Sequence, residues 1–335
     1  MLLAKLNRVL INTSGSGKTR LGLDGLCRNW GFYGIVNEVS GDNVIGSGDF
    51  SQLMTSLDNS LDYCLAKERG SDDDVAARHM HQKVHRRVLQ FMLARFIFLN
   101  LLITEASKCE GGLRPSDHRL LWVLLQARPT DLLVWDAFTE LAMALRVASA
   151  EDLEAQIKEE YLTLENQGIL TSGNHPVTGE PTHQPLYCIL DEIQATTTFR
   201  MGEYRSDNDK KTKRPLLRPI WKSITNVLPA TKMRVILSGT AINETSLKNV
   251  LASFAFKRCV YSVKRDIGAF DDPDAQRQYI KSYLPDVTDE QLAARQDFLK
   301  RAWGWCRGRY CILRDHPVAK LILIALFSGI AIRPP

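Results

Sequence analysis

RVLINTSGSGKT, residues 8–19, joins an apolar strand pattern to a glycine-rich turn. The residues from Arg8 to Ile11 have the composition of a short buried strand, and residues 18–30 carry the apolar spacing of a helix. Glycine in the turn permits positive φ angles that aim backbone N–H groups inward, and the N-terminus of the following helix adds partial positive charge. A strand, turn and helix in this order predict a loop that binds phosphate.

The positions of this turn have distinct expected roles. Lys18 would neutralise phosphate charge, and the Thr19 hydroxyl would ligate Mg²⁺. The turn fits the pattern G-x-x-x-x-G-K-[ST] except at the first position, where Asn12 replaces glycine. Asparagine tolerates positive φ better than most residues, so the departure is mild. The predicted phosphate-binding residues are Asn12, Thr13, Ser14, Gly15, Ser16, Gly17, Lys18, Thr19 and Arg20.

A second apolar strand pattern, residues 186–190, ends in the acid pair Asp191 and Glu192. Asp191 is expected to hold Mg²⁺ through water, and Glu192 to polarise the attacking water as general base. A strand capped by solvated acids would have the same composition, but the accompanying phosphate loop favours the chemical interpretation. Such an acid pair is typical of the additional-strand class of P-loop NTPases, which hydrolyse nucleotides.

A third strand pattern, residues 233–237, ends in Ser238, Gly239 and Thr240. In the additional-strand class, a polar residue ends the strand beside the phosphate-loop strand and senses the γ-phosphate or water. Ser238 and Thr240 are the candidates for this role, and an ordinary strand-to-helix turn is the alternative. Hydrolysis also needs a cation for the charge that develops on the transferred phosphoryl group. The candidates, among which no spacing rule selects, are Arg200, Arg218 and Arg309.

Composition places the 335-residue chain among ordinary globular proteins, with 44% apolar and 24% charged residues. The net charge of +5 is too small to imply nucleic-acid binding by itself. Seven cysteines are scattered without a C-x-x-C pair, which predicts reduced thiols and an intracellular protein of the cytoplasm or nucleus. The N-terminal residues do not form a secretory signal pattern. The apolar runs 91–102 and 321–332 fall short of the roughly twenty residues that span a bilayer.

Apolar strands that each run into a loop and a helix predict an α/β fold. We expect a P-loop NTPase three-layer core with a mostly parallel sheet, a large helical insertion and a helical C-terminal region. A further strand is predicted at 33–36, helices at 51–69, 75–106, 116–127, 131–147 and 151–168, and a linker at 171–185. The predicted divisions are a first part of the core at 1–50, the helical insertion at 51–170, a second part of the core at 171–243, a helical lid-like region at 244–310 and an apolar tail at 311–335.

Taken together, these motifs resemble the Crinkler-type NTPase domain of oomycete and fungal proteins, which is related to the STAND and AAA+ ATPases. The likeness covers roughly residues 5–310 and implies an ATPase whose helical insertion separates its second and third core strands. After Arg309 the continuation expected of the family is replaced by other sequence, which implies a truncated or mis-spliced gene product. The motifs that carry the likeness are residues 10–20, 25–33, 46–49, 190–195, 237–240 and 305–310.

The sequence therefore predicts Mg²⁺-dependent binding and hydrolysis of a nucleoside triphosphate, with ATP as the expected nucleotide, coupled to a conformational switch. A helicase-like, DNA-dependent ATPase is one alternative, since residues 191–194 and 238–240 resemble helicase motifs. A nucleotide-binding switch or scaffold without turnover is another, and a non-functional gene fragment is a third. The basic loop 200–218 would contact nucleic acid if the chain has such a partner, and a disordered surface loop is the alternative interpretation of this segment. A protein partner and the oligomeric state stay open.

Overall fold

The computed structural model describes a large part of the 335-residue chain. The described residues are 7–11, 17–36, 45–58, 73–108, 115–174, 181–194, 196, 204–205, 213–240, 261–264, 288 and 290. The predictions made for Asn12, Thr13, Ser14, Gly15, Ser16, Arg200, Arg309 and the apolar tail at 311–335 lie outside these residues.

Strands and helices alternate in the order that the α/β pattern predicts. The strands are β1 (Asn7–Ile11), β2 (Gly31–Ile35), β3 (Thr171–Asn174), β4 (Pro181–His183), β5 (Leu186–Asp191), β6 (Tyr204–Arg205), β7 (Lys213–Arg214), β8 (Met233–Gly239) and β9 (Tyr261–Lys264). The helices are α1 (Lys18–Arg28), α2 (Asp49–Asp58), α3 (Asp73–Lys108), α4 (Pro115–Ala127), α5 (Pro129–Leu133), α6 (Ala137–Ala144), α7 (Ala150–Asn166) and α8 (Leu217–Val227). A short 3₁₀ turn, Leu145–Val147, follows α6.

Five of the strands form one parallel sheet in the order β2-β5-β8-β1-β9. The prediction of an α/β fold with a parallel sheet is therefore confirmed. Strand β8 lies between β1 and β5, with Leu10 beside Ser238 and Leu190 beside Leu237. Because all five strands run in the same direction, the carboxyl ends of β1, β5 and β8 meet at one edge of the sheet.

Helices cover both faces of this sheet, because strand side chains point alternately to opposite faces. One face packs against α1 and α4 through a cluster that contains Leu10, Leu26, Tyr33, Val123, Ile189 and Ile236. The other face packs against α3, α7 and α8 through a larger cluster that contains Val9, Phe32, Phe91, Ile157, Leu190, Trp221 and Leu237. Both faces are apolar, so the strands read as continuous hydrophobic runs in the sequence.

Strand β2 ends the sheet on one side, and the helices that follow it satisfy its outer backbone groups. Trp122 and Gln126 of α4 donate to the Gly31 carbonyl at 2.7 and 3.2 Å. The Tyr33 N–H donates to Oε1 of Gln126 at 2.8 Å, and the Tyr33 carbonyl accepts from Nη2 of Arg95 at 2.8 Å. Unpaired edge groups invite pairing with other chains, so these side chains close the edge.

The long helix α3 passes through the core with a buried ion pair. The guanidinium of Arg95 donates to the Asp49 carboxylate, and both side chains are fully buried. Residues 78–108 are long and apolar enough to cross a membrane by length and composition alone, but 67% of the apolar window is buried inside the fold. This candidate, the one found among the described residues, is weak evidence for a span, because a mostly buried core helix passes the same test.

The helix predicted at 131–147 is interrupted. The structure has α5, a break at residues 134–136, and then α6. Val134 adopts a positive φ of 70°, and the Asp136 carboxylate caps α6 by accepting from the Thr139 N–H at 3.2 Å. A capping aspartate offers the backbone an alternative to continued helix, so a new helix begins after Asp136. Periodicity alone predicts a single continuous helix here.

Short strands occupy three segments that the sequence assigned to other structure. The linker predicted at 171–185 contains the antiparallel pair β3 and β4, and the basic loop contains the pair β6 and β7. Strand β9 lies in the region 244–310, for which mostly helix was predicted, and it pairs with β1. A strand of four residues is too short to give a clear alternating pattern, and its partner is about 250 positions away, so sequence periodicity gives no signal for it.

Candidate functional site

The candidate site lies where the carboxyl ends of β1, β5 and β8 meet the beginning of α1. Gly17 precedes this helix with a φ of 83°, a left-handed conformation that favours glycine, and its carbonyl accepts the first helical hydrogen bond from Leu21 at 2.8 Å. No side chain of the described residues caps α1, and its first turn contains no acidic residue. The first N–H groups of α1 are therefore suited to an anionic ligand.

The side chains of Thr19 and Asp191 are in direct contact. The Thr19 hydroxyl donates to Oδ2 of Asp191 at 2.6 Å, although the two residues are 172 positions apart in the chain. The Tyr33 hydroxyl donates to the same oxygen at 3.1 Å, and the Glu192 N–H donates to Oδ1 at 3.0 Å. The Asp191 side chain is buried, and these three donors fix the orientation of its carboxylate.

Lys18 lies at the same end of the sheet, beside both acids. Its side chain is buried, at 5% exposure. Burial lowers the pKa of the Lys18 ammonium, and the negative charges of Glu192 and Asp191 counteract part of that effect. A lysine ammonium at the start of α1 is a compact positive charge that can bind a phosphate group.

Glu192 follows β5 with a positive φ of 55° and is held by groups that come from the end of β8 and from its own turn. Its Oε2 accepts from the Gln194 side-chain amide, and Oε1 of that amide accepts from the Thr240 N–H at 3.1 Å. The Thr240 hydroxyl lies 3.5 Å from the same glutamate oxygen. A left-handed conformation at a non-glycine residue costs on the order of 1–3 kcal/mol and is concentrated at functional sites.

Ser238 is the penultimate residue of β8 and lies beside the phosphate-loop strand. Its carbonyl accepts from the Ile193 N–H at 3.0 Å, which ties the end of β8 to the turn after Glu192. Its hydroxyl is buried and has no hydrogen-bond partner among the described residues. A buried hydroxyl without a partner costs roughly 1–3 kcal/mol, so a ligand that pairs with it would recover that cost.

Tyr33 and Gln194 belong to this cluster but were not predicted as site residues, although they lie within the motifs 25–33 and 190–195. Tyr33 is 158 positions from Asp191. The parallel register places Tyr33 beside Ile189 and Ile35 beside Asp191, so Tyr33 is a diagonal neighbour of the acid on the same face of the sheet. Only the strand order brings them together, and a single sequence does not reveal strand order.

Other predicted residues are less central. Arg20 is exposed and lies 3.7 Å from Asp24 of its own helix, so its side chain is engaged at the surface. Arg218 is buried at the start of α8. Asn12 to Ser16, which would form the body of the phosphate loop, lie outside the described residues.

The donor set of the site fits a small, hard cation. A threonine hydroxyl and a carboxylate in contact offer oxygen ligands, which Mg²⁺ prefers, and Mg²⁺ commonly uses one or two protein carboxylates together with phosphates and water. Among the described residues no cluster of three or more His, Cys, Asp or Glu side chains could enclose a metal by itself. The arrangement therefore suits a cation that arrives with a phosphate ligand.

Comparisons of the chain with protein-family models, with curated proteins and with solved structures gave no match. The resemblance to Crinkler-type NTPases accordingly stays a prediction from the sequence motifs.

Proposed function

We propose that this protein binds a nucleoside triphosphate together with Mg²⁺ and hydrolyses it, with ATP as the expected nucleotide. The observation that carries the proposal is the hydrogen bond between Thr19 and Asp191 at 2.6 Å. It joins the residue after the lysine of the predicted phosphate loop to the first acid of the predicted acid pair. Both residues are predicted to hold one cation, and they touch at the same edge of the sheet.

The strand order supports the same proposal. In the additional-strand class of P-loop NTPases, one strand separates the phosphate-loop strand from the strand that carries the acids. Here β8 lies between β1 and β5, and its penultimate residue is Ser238, the predicted sensor. The buried Ser238 hydroxyl, without a partner among the described residues, suits contact with a terminal phosphate or with water.

The roles proposed for the site residues follow from charge and position. Lys18 and the first turn of α1 attract the phosphate groups, since both carry positive charge at the edge where β1 ends. Thr19 and Asp191 would hold Mg²⁺, which neutralises charge on the phosphate oxygens. Glu192 accepts a proton from the attacking water, and Gln194 and Thr240 orient its carboxylate.

ATP binding and turnover by the purified chain, with and without Mg²⁺, test the proposal. Lys18→Ala is expected to abolish ATP binding, whereas Lys158→Ala, which removes an exposed lysine 3.7 Å from Glu154, should leave it unchanged. Glu192→Gln is expected to bind ATP normally but to lose roughly 100-fold to 10,000-fold in turnover, the usual contribution of a general base. Undiminished ATP affinity in Lys18→Ala would contradict the proposal.

The same assays separate the alternative functions. A switch or scaffold without turnover predicts ATP binding by the unaltered chain and no hydrolysis for Glu192→Gln to remove. The helicase-like alternative has one structural argument in its favour, because Gln194 and Thr240, which belong to the two helicase-like motifs, are hydrogen-bonded at 3.1 Å. Stimulation of ATP turnover by single-stranded DNA would support that alternative.

A further inference from the structure

Tyr33 brings to the site a hydroxyl for which the sequence predicted no role. It donates to Oδ2 of Asp191 at 3.1 Å, and the same oxygen accepts from Thr19 at 2.6 Å. The Tyr33 side chain is 1% exposed. Burial, together with the negative charge of Asp191 and the hydrogen bond to it, raises the pKa of the Tyr33 phenol well above its ordinary value. The hydroxyl is thus buried against the oxygen that Thr19 also contacts.

The backbone of Tyr33 is fixed by the helical insertion. Its N–H donates to Gln126 of α4 at 2.8 Å, and its carbonyl accepts from Nη2 and Nε of Arg95 at 2.8 and 3.1 Å. At the next residue, Gly34, an added Cβ would lie 2.8 Å from the ring of Phe91, so β2 packs against α3 without spare room. The backbone that carries the phenol is therefore tied to both α3 and α4.

We infer that Tyr33 is a positioning residue of the proposed site, whose hydroxyl fixes the orientation of the Asp191 carboxylate that would hold Mg²⁺ with Thr19. This inference rests on the proposed function. Groups that hydrogen-bond to a metal-ligating carboxylate set its orientation, and their loss commonly costs 10-fold to 100-fold in metal affinity, as a rough guide. Through Arg95 and Gln126, the same contact links the helical insertion to the cation side of the site.

Tyr33→Phe tests the inference, because phenylalanine keeps the buried ring and removes only the hydroxyl. The dissociation constant of ATP is measured by calorimetry once in Mg²⁺ and once in EDTA. We expect the constant in Mg²⁺ to rise roughly 10-fold and the constant in EDTA to stay unchanged. Tyr161→Phe is the matched control, since Tyr161 is also 1% exposed and its hydroxyl is bound to His183 at 2.7 Å instead of to the site. Both constants should stay unchanged in the control.

The outcomes separate this inference from the function on which it rests. An unchanged constant in Mg²⁺, an equal rise in Mg²⁺ and EDTA, or the same change in Tyr161→Phe would overturn the role of Tyr33 alone. Absence of ATP binding by the unaltered chain would overturn the proposed function and this inference together. If Tyr33→Phe does not fold, fluorotyrosine at position 33 keeps the hydroxyl. Its fluorine NMR signal should shift when Mg²⁺ is added to the ATP complex, and an unmoved signal would count against the inference.

Discussion

The Thr19 hydroxyl donates to the Asp191 carboxylate at 2.6 Å across the end of β8. The contact joins the first turn of α1 to the end of β5, two segments that are 172 positions apart in the chain. A hydroxyl that donates to a carboxylate keeps its own lone pairs, so it can ligate a cation while it holds the acid in place. The same atoms therefore serve the stability of the free protein and the proposed binding of Mg²⁺.

Thr19→Val keeps the shape of the side chain and removes the hydroxyl. We expect the free energy of unfolding to fall by roughly 1.5–3 kcal/mol, since the lost hydrogen bond has a charged acceptor. ATP affinity should fall in Mg²⁺ and change little in EDTA. Thr19→Ser, which keeps the hydroxyl, should retain most of both properties. Urea unfolding and ATP calorimetry give the two measurements, and a valine variant with normal Mg²⁺ dependence would rule out a cation role for Thr19.

Removal of one partner of the buried pair between Arg95 and Asp49 should be strongly destabilising. Both side chains are fully buried, and Arg95 also lies over the rings of Phe91 and Phe138 at 3.9 and 5.0 Å. Arg95→Leu leaves a buried carboxylate without its cation, a change that costs on the order of 3–5 kcal/mol.

A double-mutant cycle supplies the control for this prediction. Each single change leaves one buried charge unpaired, whereas Arg95→Leu combined with Asp49→Asn removes both charges. The double variant should therefore lose less free energy of unfolding than the sum of the two single losses. Loss of the exposed partner in Lys158→Ala should cost at most about 1 kcal/mol. Urea unfolding of the four proteins measures the coupling, and strictly additive costs would show that the two side chains do not depend on each other.

The sequence was sufficient to predict four of the five parallel strands and most of the long helices. Local sequence patterns, namely buried apolar runs for strands and amphipathic spacing for helices, predicted strands β1, β2, β5 and β8 and helices α1, α3, α4 and α7. The break between α5 and α6 and the strand β9 were not predicted. The first depends on the cap at Asp136 and the second on pairing with β1, and neither effect is expressed in periodicity.

For the candidate site, the sequence identified the groups with motif spacing and missed the groups placed by strand order. Lys18, Thr19, Asp191 and Glu192 were selected from local motifs, and the structure brings them together. Tyr33 was missed because its contact with Asp191 depends on the pairing of β2 with β5, which no local pattern encodes. A contact between distant strands becomes visible only when the register of the sheet is known.

Val134 is strained at an exposed position, so its replacement by glycine should stabilise the protein. The residue has a φ of 70° and is 89% exposed, and a β-branched side chain is disfavoured in this conformation by roughly 1–2 kcal/mol. The greater freedom of glycine in the unfolded chain offsets about 0.5–1 kcal/mol of that gain. We expect Val134→Gly to raise the free energy of unfolding by up to roughly 1 kcal/mol.

Val147→Gly is the control, because Val147 is 85% exposed but lies in a 3₁₀ turn without a positive φ. Glycine at position 147 loses more conformational entropy on folding than valine and relieves no backbone strain. The free energy of unfolding of this variant should therefore be slightly lower than that of the unaltered chain. Thermal and urea unfolding of both variants give the comparison. Two variants that change in the same direction would show that Val134 is not strained.

The free energy of unfolding should fall as the pH rises above 10, and the titration of Tyr161 should contribute to this fall. Burial, together with the negative charge of Glu165, raises the pKa of the Tyr161 phenol above its ordinary value of 10.0, and its hydroxyl is paired with His183 at 2.7 Å. Above pH 10 the unfolded chain releases this proton while the folded protein retains it. The unfolded state then binds fewer protons, so the free energy of unfolding falls with increasing pH.

Tyr161→Phe isolates this contribution, because every other titrating group is common to both proteins. The free energy of unfolding should differ by a constant amount below pH 9, where the phenol is protonated in both the folded and the unfolded state. Above pH 10 the variant should lose stability less steeply than the unaltered chain. Urea unfolding at a series of pH values measures the two slopes. Parallel curves throughout would mean that Tyr161 titrates alike in the folded and unfolded states and that its burial does not hold the proton.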